Sequence, residues 1–554
     1  MKLYNTLSKS VQGFEPQYPP KVTIYTCGPT VYDYAHIGHW FTYVRADILI
    51  RSLRLAGYDP DWVMNITDVG HLVSDADEGE DKLEKGARRE GKTAWEVAEF
   101  YTKDFVECLD ILHIQKPKWM PKATEHIPEQ IALVQKLMDK GYAYTIDDGV
   151  YYDTSKFAAY AEFAQLDLDD QQEGARVTTN TQKRNPSDFA LWKFSPKDTQ
   201  RDMEWWAPWK SPNDNSDEAL EVASTRSLHA SAPQGPVEQR TESYDAYGEG
   251  AVESATQQSA ASTSGVTSSA GEQASAVQGS WGFPGWHIEC SAMSMKYLGE
   301  TLDIHTGGID HVPVHHTNEI AQSEAATGKK FSNFWMHSNH VMVNGEKISK
   351  SLGNGIRLQE IVEKGFSPEV VRLHILESHY RSQSKFSWEG LEAAKSRLSR
   401  WQNMADLRWQ VQQPRDFLQP YPESTLELQR TQDKHEHTVV SQKAFDDFKK
   451  ALLNDLDTPG ALLAIESLMN LVERDGVTTF LEPSFTKLLQ QIHWTLGIDL
   501  FKDDISDAQK QIIQQRGAAR QAKDWATSDT LRDELKAQGI GLNDTPKGAT
   551  WFWL

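Results

Sequence analysis

The clearest hydrophobic pattern in this 554-residue chain lies near its N-terminus. Residues 22–27 (VTIYTC) alternate between apolar and polar side chains, which predicts a half-buried strand. From 36 to 56 the apolar residues recur at helical spacing, and Gly57 follows as a C-cap. Residues 61–68 (DWVMNITD) predict the next strand. A strand, a helix and a strand in this order predict a βαβ unit, and therefore an α/β fold with a parallel sheet.

The rest of the chain continues this alternation and then becomes helical. Residues 300–308 (ETLDIHTGG) predict a strand that ends in glycines, and residues 314–327 predict a helix. From about residue 388 to 500 the pattern is helical throughout. Ligands of parallel sheets bind beyond the carboxyl ends of the strands. Cys27 and Thr67 both fall at such ends, so we expect them near a site.

One long segment has no pattern of this kind. Residues 211–280 contain 14 serines, ten acidic and two basic residues, and no Ile, Phe, Trp or Met. Such a composition cannot bury enough apolar surface to offset the entropy lost on ordering. The sequence therefore predicts a disordered insert at 211–280.

Composition limits the class of protein. Hydrophobic residues make up 39% and charged residues 25% of the chain, with no run of about 18 apolar residues, so no membrane span is expected. The N-terminus lacks the apolar core of a secretory signal, and three cysteines favour free thiols in a reducing cytoplasm. The net charge of −22, taken alone, argues against a nucleic-acid partner, and any basic patch must be local.

Four residues are of the types that bind zinc. Cys27 ends the first strand, Cys290 lies in WHIECSAM, and His315 and Glu319 share one face of the predicted helix. No close C-x-x-C pair is present, so a zinc site would be assembled by the finished fold. Spacing alone does not exclude an alternative without metal, in which the two cysteines belong to the core and the histidine and glutamate lie on a helix surface.

Two further motifs suit phosphate. His36-Ile-Gly38-His39 opens a helix, whose N-terminus offers free N–H groups and partial positive charge. Lys347 and Lys350 flank a serine in the glycine-bounded loop GEKISKSLGN, which is able to fold two cations over a polyphosphate. Taken singly, the histidine motif is better explained by helix-capping or core histidines, and a solvated basic turn explains the lysine loop equally well.

Together the motifs resemble those of the cysteinyl-tRNA synthetases, a family of class I aminoacyl-tRNA synthetases. The matching stretches include YTCGPTVYDYAHIGH, NITDV, PGWHIECSAM, HHTNEIAQSEA, NGEKISKSLGN and, near the C-terminus, RQAKDWATSDTLRDELKAQGIGLNDTPKGATW. The resemblance covers nearly the whole chain except 211–280. One departure lies beside the histidine motif, where Phe41 stands at a position at which the family commonly has an arginine.

The resemblance implies ATP-dependent attachment of L-cysteine to tRNA(Cys) through a cysteinyl-adenylate. One zinc ion per chain would recognise the substrate thiolate, and Mg²⁺ would accompany ATP. The implied zinc ligands are Cys27, Cys290, His315 and Glu319. The implied catalytic residues are His36, His39, Lys347 and Lys350. The implied ATP-binding residues are Gly38, Gly307, Gly308, Asp310, Ser349 and Lys350. The implied amino-acid-binding residues are Thr67, Trp286 and His305.

The implied architecture is a Rossmann-like catalytic domain with a connective insertion, followed by a helical bundle and a small anticodon-binding domain. We expect a cytoplasmic monomer. The predicted divisions are 1–113 and 281–335 for the two halves of the catalytic domain, 114–210 for the connective insertion, 211–280 for the disordered insert, 336–388 for the segment with the lysine loop that contacts the tRNA stem, 389–503 for the bundle and 504–554 for the C-terminal domain.

Two other functions are consistent with parts of this sequence. A ligase that joins cysteine to an amino sugar would keep the zinc and phosphate motifs but lack a tRNA-binding end, and residues 390–554 count against it. A non-catalytic RNA-binding paralogue is expected to have lost a histidine of the motif, a zinc ligand or a loop lysine, and none is lost here.

Overall fold

The structure is a computed structural model. It describes residues 1–70, 81–164, 180–196, 201–213, 279–348, 353–410, 439–477, 481–545 and 548–554. The strands are β1 (Lys2–Asn5), β2 (Ser10–Gly13), β3 (Lys21–Thr26), β4 (Asp59–Met64), β5 (Ala143–Ile146), β6 (Gly149–Tyr152), β7 (Phe189–Phe194), β8 (Trp205–Ala207), β9 (Ser280–Pro284), β10 (Leu302–Gly308), β11 (Ser332–Ser338), β12 (Val341–Val343), β13 (Glu346–Lys347), β14 (Ser384–Phe386), β15 (Ile540–Thr545) and β16 (Gly548–Trp553).

The α-helices connect and cover these strands. They are α1 (Ile37–Leu55), α2 (Lys82–Glu90), α3 (Ala94–Ile111), α4 (Ile127–Asp139), α5 (Trp286–Leu298), α6 (Thr317–Thr327), α7 (Leu358–Glu363), α8 (Pro368–Leu376), α9 (Trp388–Asp406), α10 (Thr458–Asp475), α11 (Glu482–Leu496), α12 (Asp507–Gln521) and α13 (Trp525–Ala537). Residues 439–452 are also helical. No described helix combines the length and the apolar character that crossing a bilayer requires.

A parallel four-stranded sheet forms the centre of the protein. Its strand order is β11-β10-β3-β4, and every neighbouring pair is parallel. The predicted strand at 22–27 and helix at 36–56 are confirmed as β3 and α1, with each boundary within one residue. Because β10 pairs with β3 although it comes about 280 residues later in the chain, the two predicted halves of the catalytic domain meet within one sheet. The α/β fold is therefore confirmed.

Helix α1 runs behind this sheet and is buried on most of its surface. Fourteen of its nineteen residues are buried, including the polar side chains of Arg45, Asp47 and Arg51. A helix that is buried all round belongs to the centre of a large protein. Its N-terminus points to the carboxyl edge of the sheet, so His36 and His39 lie at that edge.

Residues of the predicted connective insertion form most of a second sheet. Strands β5-β6-β7-β9-β8 form an antiparallel five-stranded layer, and α4 packs against its helical neighbours α5 and α6. Strand β9 pairs with β7 and β8, so residues 280–284 extend this sheet before α5 returns the chain to the centre. The predicted disordered insert lies, from residue 214 to 278, outside the described residues. The division into domains stays a prediction.

The C-terminal third is helical and ends in a small separate core. Helices α9, α10 and α11 form the predicted bundle together with the helical residues 439–452. Beyond it, α12 and α13 pack on the antiparallel pair β15 and β16. Their buried apolar cluster comprises Ile505, Leu535, Ile540, Leu542 and Trp551.

Candidate active site

A polar cavity of about 660 Å³ opens at the carboxyl edge of the parallel sheet. Its wall combines the residues after β3, the first turn of α1, the residues after β10 and the β12–β13 hairpin. The loop after β3 is fixed there because the Gly28 N–H donates to Asn65 Oδ1 (2.8 Å) and Val31 N–H donates to the Thr67 carbonyl (3.1 Å). Cys27 and Thr67 therefore meet at this edge.

The four predicted zinc ligands converge at the floor of the cavity. One donor atom from each of Cys27, Cys290, His315 and Glu319 lies within 4.8 Å of the other three, and all four side chains are buried. His315 Nε2 lies 2.6 Å from Glu319 Oε1, and the Cys27 thiol lies 3.8 Å from the same oxygen. Two cysteines that are 263 residues apart in the chain are thus brought together by the fold.

The electrostatics of this cluster favour a cation. Burial raises the pKa of Cys27 well above its ordinary value, and the negative charges of Cys290 and Glu319 add to the effect. Burial alone would lower the pKa of His315, but Glu319 and Cys290 raise it to about 10. Burial alone would raise the pKa of Glu319, but His305 and His315 hold it well below its usual range. A divalent cation among these donors would relieve the repulsion between the thiolates and the carboxylate.

A second group of donors overlaps the first. Cys27, His305, His316 and Glu319 also have donor atoms within 4.8 Å of one another. His305 Nε2 lies 2.6 Å from Glu319 Oε2, and Cys27 Sγ lies 3.3 Å from His316 Nε2. His316 was not predicted from the sequence, although the adjacent pair of histidines at 315 and 316 was a visible signal. Both rings reach the cluster because residues Val312–His316 form one π-helical turn.

The further histidines around the cluster were also missed from the sequence. His287 Nδ1 lies 2.9 Å from His315 Nδ1, and His316 Nδ1 lies 2.8 Å from His337 Nε2. These contacts set the orientation of the rings that face the donors, as partners behind metal ligands commonly do.

His36 and His39 cap the start of α1. The Gly38 N–H donates to His36 Nδ1 (3.2 Å), and the His36 N–H donates to His39 Nδ1 (3.0 Å). The two rings stack with their centroids 3.9 Å apart. A neutral imidazole that accepts through Nδ1 carries its proton on Nε2. Both rings line the cavity and are therefore able to donate from Nε2 toward a ligand.

A side chain at Gly38 would have little room. A Cβ on Gly38 would lie 3.0 Å from His36 Cε1 and 3.1 Å from Ile348 Cδ1. The opposite wall is the β12–β13 hairpin, where Lys347 lines the cavity and accepts through its carbonyl from the Asn354 amide (3.1 Å). Ser349 and Lys350 lie outside the described residues.

The remaining predicted residues are distributed between the wall and the layer behind it. Thr67, Trp286, Gly308 and Asp310 line the cavity, and the Trp286 ring lies 4.5 Å from the ring of His315. Two residues lie behind the wall. His305 is fully buried and bonded to Glu319, and a Cβ on Gly307 would meet the rings of His311 and His316.

Comparisons with known proteins find two matching family domains and relatives that align over the full chain. The chain matches the family "tRNA synthetases class I (C) catalytic domain" over residues 13–213 and 239–396, and the "Cysteinyl-tRNA ligase anticodon binding domain" over 502–551. It is 38% identical to the cysteine–tRNA ligase of Treponema denticola (100% of this chain, 99% of that one). It is 36% identical to that of Chlorobaculum tepidum (100% and 98%).

One solved structure supports the fold. The ternary complex of Agrobacterium radiobacter K84 agnB2 LeuRS with tRNA and LeuAMS is 14% identical, with a TM-score of 0.51. The alignment covers 87% of this chain and 85% of that chain. A sequence identity of 14% supports only a shared fold, whereas the full-length relatives and the two family matches identify the enzyme. The chain belongs to the cysteine–tRNA ligases, within the class I aminoacyl-tRNA synthetases.

Proposed function

We propose that this enzyme activates L-cysteine with ATP and transfers it to tRNA(Cys), with a zinc ion selecting the amino acid. The observation that carries the proposal is the convergence of Cys27, Cys290, His315 and Glu319 at the floor of the same cavity whose rim holds the paired histidines. Thiol recognition and phosphate chemistry would then meet at one edge of the sheet.

The donor set fits zinc. Two thiolates, an imidazole and a carboxylate are ligands that zinc takes, and their burial excludes the water that calcium or magnesium would retain. A zinc ion held there would supply a Lewis acid that binds the substrate sulfur as thiolate and accepts the hydroxyl of serine poorly. The chain's own residues orient the amino acid, with Trp286 and Thr67 on the cavity wall.

The adenylation step would depend on position and charge. The cysteine carboxylate attacks the α-phosphorus of ATP, and pyrophosphate leaves with its magnesium. His36 and His39 would donate from Nε2 to phosphoryl oxygens as negative charge develops, and Lys347 would neutralise the leaving pyrophosphate together with Lys350. Gly308 and Asp310 would face the ribose. The product is cysteinyl-adenylate.

The transfer step requires the tRNA to reach the same cavity. The terminal adenosine hydroxyl attacks the adenylate carbonyl, AMP leaves, and the cysteinyl ester forms. Residues 502–551 match the family's anticodon-binding domain. This match supports tRNA, rather than an amino sugar, as the acceptor. Residues 505–554 carry seven basic and six acidic side chains, so this segment is nearly neutral although the chain as a whole is acidic.

The test combines metal analysis with two activity assays. Purified protein is expected to hold one zinc per chain, to exchange pyrophosphate into ATP with cysteine and not with serine, and to charge tRNA(Cys). Incubation with an amino sugar in place of tRNA is the control for the alternative ligase. Cysteine-dependent exchange by metal-free protein would refute the role of zinc. Transfer of cysteine to the sugar without charging of tRNA would refute the proposal that tRNA is the acceptor.

A further inference from the structure

Arg45 is a buried cation in the middle of α1. Its side chain is about 93% buried, and within the described part of the chain its guanidinium donates to serine hydroxyls alone. Nη1 donates to Ser338 Oγ (2.7 Å), and Nη2 donates to Ser378 Oγ (3.0 Å) and to Ser384 Oγ (2.5 Å). The guanidinium carbon also lies 5.2 Å from the centre of the Phe41 ring, one helical turn earlier.

This charge has no neutralising partner among the described residues. No carboxylate of the described chain forms an ion pair with Arg45, and its Nε–H is buried without an acceptor. Burial lowers the pKa of Arg45 to about 9, so the guanidinium stays charged near neutral pH. Further along the same helix, Arg51 is buried as well but pairs with Asp47 (2.7 Å). A buried and unpaired charge costs stability, which calls for a reason to keep it.

The position of Arg45 supplies that reason. Ser338, the residue that Nη1 contacts, ends β11 and lines the cavity, so the guanidinium lies one side chain behind the wall. Ser384 begins β14, which pairs in parallel with β12, the first strand of the hairpin that carries Lys347. Arg45 thus contacts the sheet edge at Ser338 and, at Ser384, the strand that pairs with the lysine hairpin, from the helix that begins with the paired histidines.

We propose that Arg45 is a positioning residue for polyphosphate, whose buried positive charge is neutralised when the triphosphate of ATP enters the cavity. It touches no substrate atom and acts through the field at the cavity wall and through Ser338 and Ser384. This proposal rests on the proposed use of ATP. Because the field of a buried unit charge is only partly screened inside a protein, its loss is expected to weaken ATP binding about fivefold to twentyfold.

Three variants test this role. Arg45→Met removes the charge with a similar length of chain, Arg45→Lys keeps a charge without the fork of donors, and Arg54→Met removes an exposed arginine about 13 Å further along α1. Thermal unfolding is measured with and without ATP, and pyrophosphate exchange gives separate KM values for ATP and cysteine with kcat.

Arg45→Met is expected to unfold within about 2 °C of the wild type or above it, since no carboxylate is left unpaired and Ser378 and Ser384 already bond each other (2.9 Å). Its KM for ATP should rise about fivefold to twentyfold while the KM for cysteine stays within twofold. Arg45→Lys should retain most of the ATP affinity, and Arg54→Met should match the wild type.

Two results would overturn the proposal. The first is an Arg45→Met protein that is less stable but keeps its KM for ATP, which would mean that Arg45 only stabilises the fold. The second is an Arg45→Lys protein that loses as much ATP affinity as Arg45→Met. Wild-type protein without cysteine-dependent exchange would instead refute the proposed function, and the ATP-induced rise in unfolding temperature would still measure the effect of Arg45.

Discussion

Asp47 is the centre of a buried ion cluster that joins α1 to two other helices, and its removal should destabilise the enzyme strongly. Arg51 Nε lies 2.7 Å from its carboxylate, and Arg372 of α8 donates to the same oxygen. The two guanidiniums also donate to the C-terminal carbonyls of α11, at Trp494 (2.8 Å) and at Leu496. The cluster therefore holds the end of the bundle against the helix that begins with the paired histidines.

The size of the expected destabilisation follows from how deeply the three side chains are buried. Asp47 and Arg372 have no exposed side-chain surface, and Arg51 has 8%. Burial alone would raise the pKa of Asp47, but the two arginines lower it below its ordinary value, so the carboxylate is charged at neutral pH. Asp47→Asn removes the carboxylate that both arginines contact and leaves two buried cations. Breaking a buried pair in this way costs about 3–5 kcal/mol, which corresponds to a fall of roughly 3–4 °C in Tm for 554 residues that unfold together.

The assay is thermal unfolding at pH 7, with urea unfolding to obtain the free energy. The matched control is Asp59→Asn, which breaks the exposed pair between Lys21 and Asp59 (2.5 Å) and should leave Tm unchanged. The double variant Asp47→Asn/Arg372→Met should recover part of the loss, because it buries one uncompensated cation fewer. If Asp47→Asn alone unfolds within about 1 kcal/mol of the wild type, the reasoning about this cluster is wrong.

Three further predictions concern the site and its surroundings. Cys290→Ser should yield folded protein that has lost its zinc by metal analysis, whereas Cys108→Ser, at a buried thiol outside the cluster, should keep it. Gly38→Ala should lower the rate of pyrophosphate exchange at least about tenfold by displacing the His36 ring, without loss of stability; Gly517→Ala, where a Cβ meets nothing within 4 Å, is its control and should exchange normally. Asp68 has a pKa that burial raises from 3.8 to about 6. Between these values the folded state binds the proton more tightly, so wild-type stability falls as pH rises. The advantage of Asp68→Asn in urea unfolding should therefore grow by about 2 kcal/mol from pH 4 to pH 7; a constant difference would contradict this.

Much of the fold was readable from the chain because the patterns are local. The period of two over 22–27 and the helical period over 36–56 gave β3 and α1 to within one residue. The helix predicted at 314–327 is less regular, since a π-helical turn at Val312–His316 precedes α6. Periodicity does not distinguish a π turn from an α turn over so few residues. That turn brings both His315 and His316 to the cluster, and so the sequence missed His316.

The site itself was predictable only in part. The i, i+4 relation of His315 and Glu319 follows from helix geometry, and the structure places their side chains 2.6 Å apart. Nothing local connected them to Cys27 or Cys290, and the family resemblance supplied that connection. Likewise, Arg45 is an ordinary helical residue in the sequence, and only the packing of β11 and β14 against α1 makes it a buried charge.

The sequence by itself determined the strands, the helices and the types of chemical group present, because backbone periodicity and residue chemistry act over a few neighbouring positions. The tertiary structure alone decided which groups meet and which lose their water. Donor convergence and charge burial arise from contacts between residues hundreds of positions apart, and such contacts depend on how the parallel strands align rather than on any single stretch of chain.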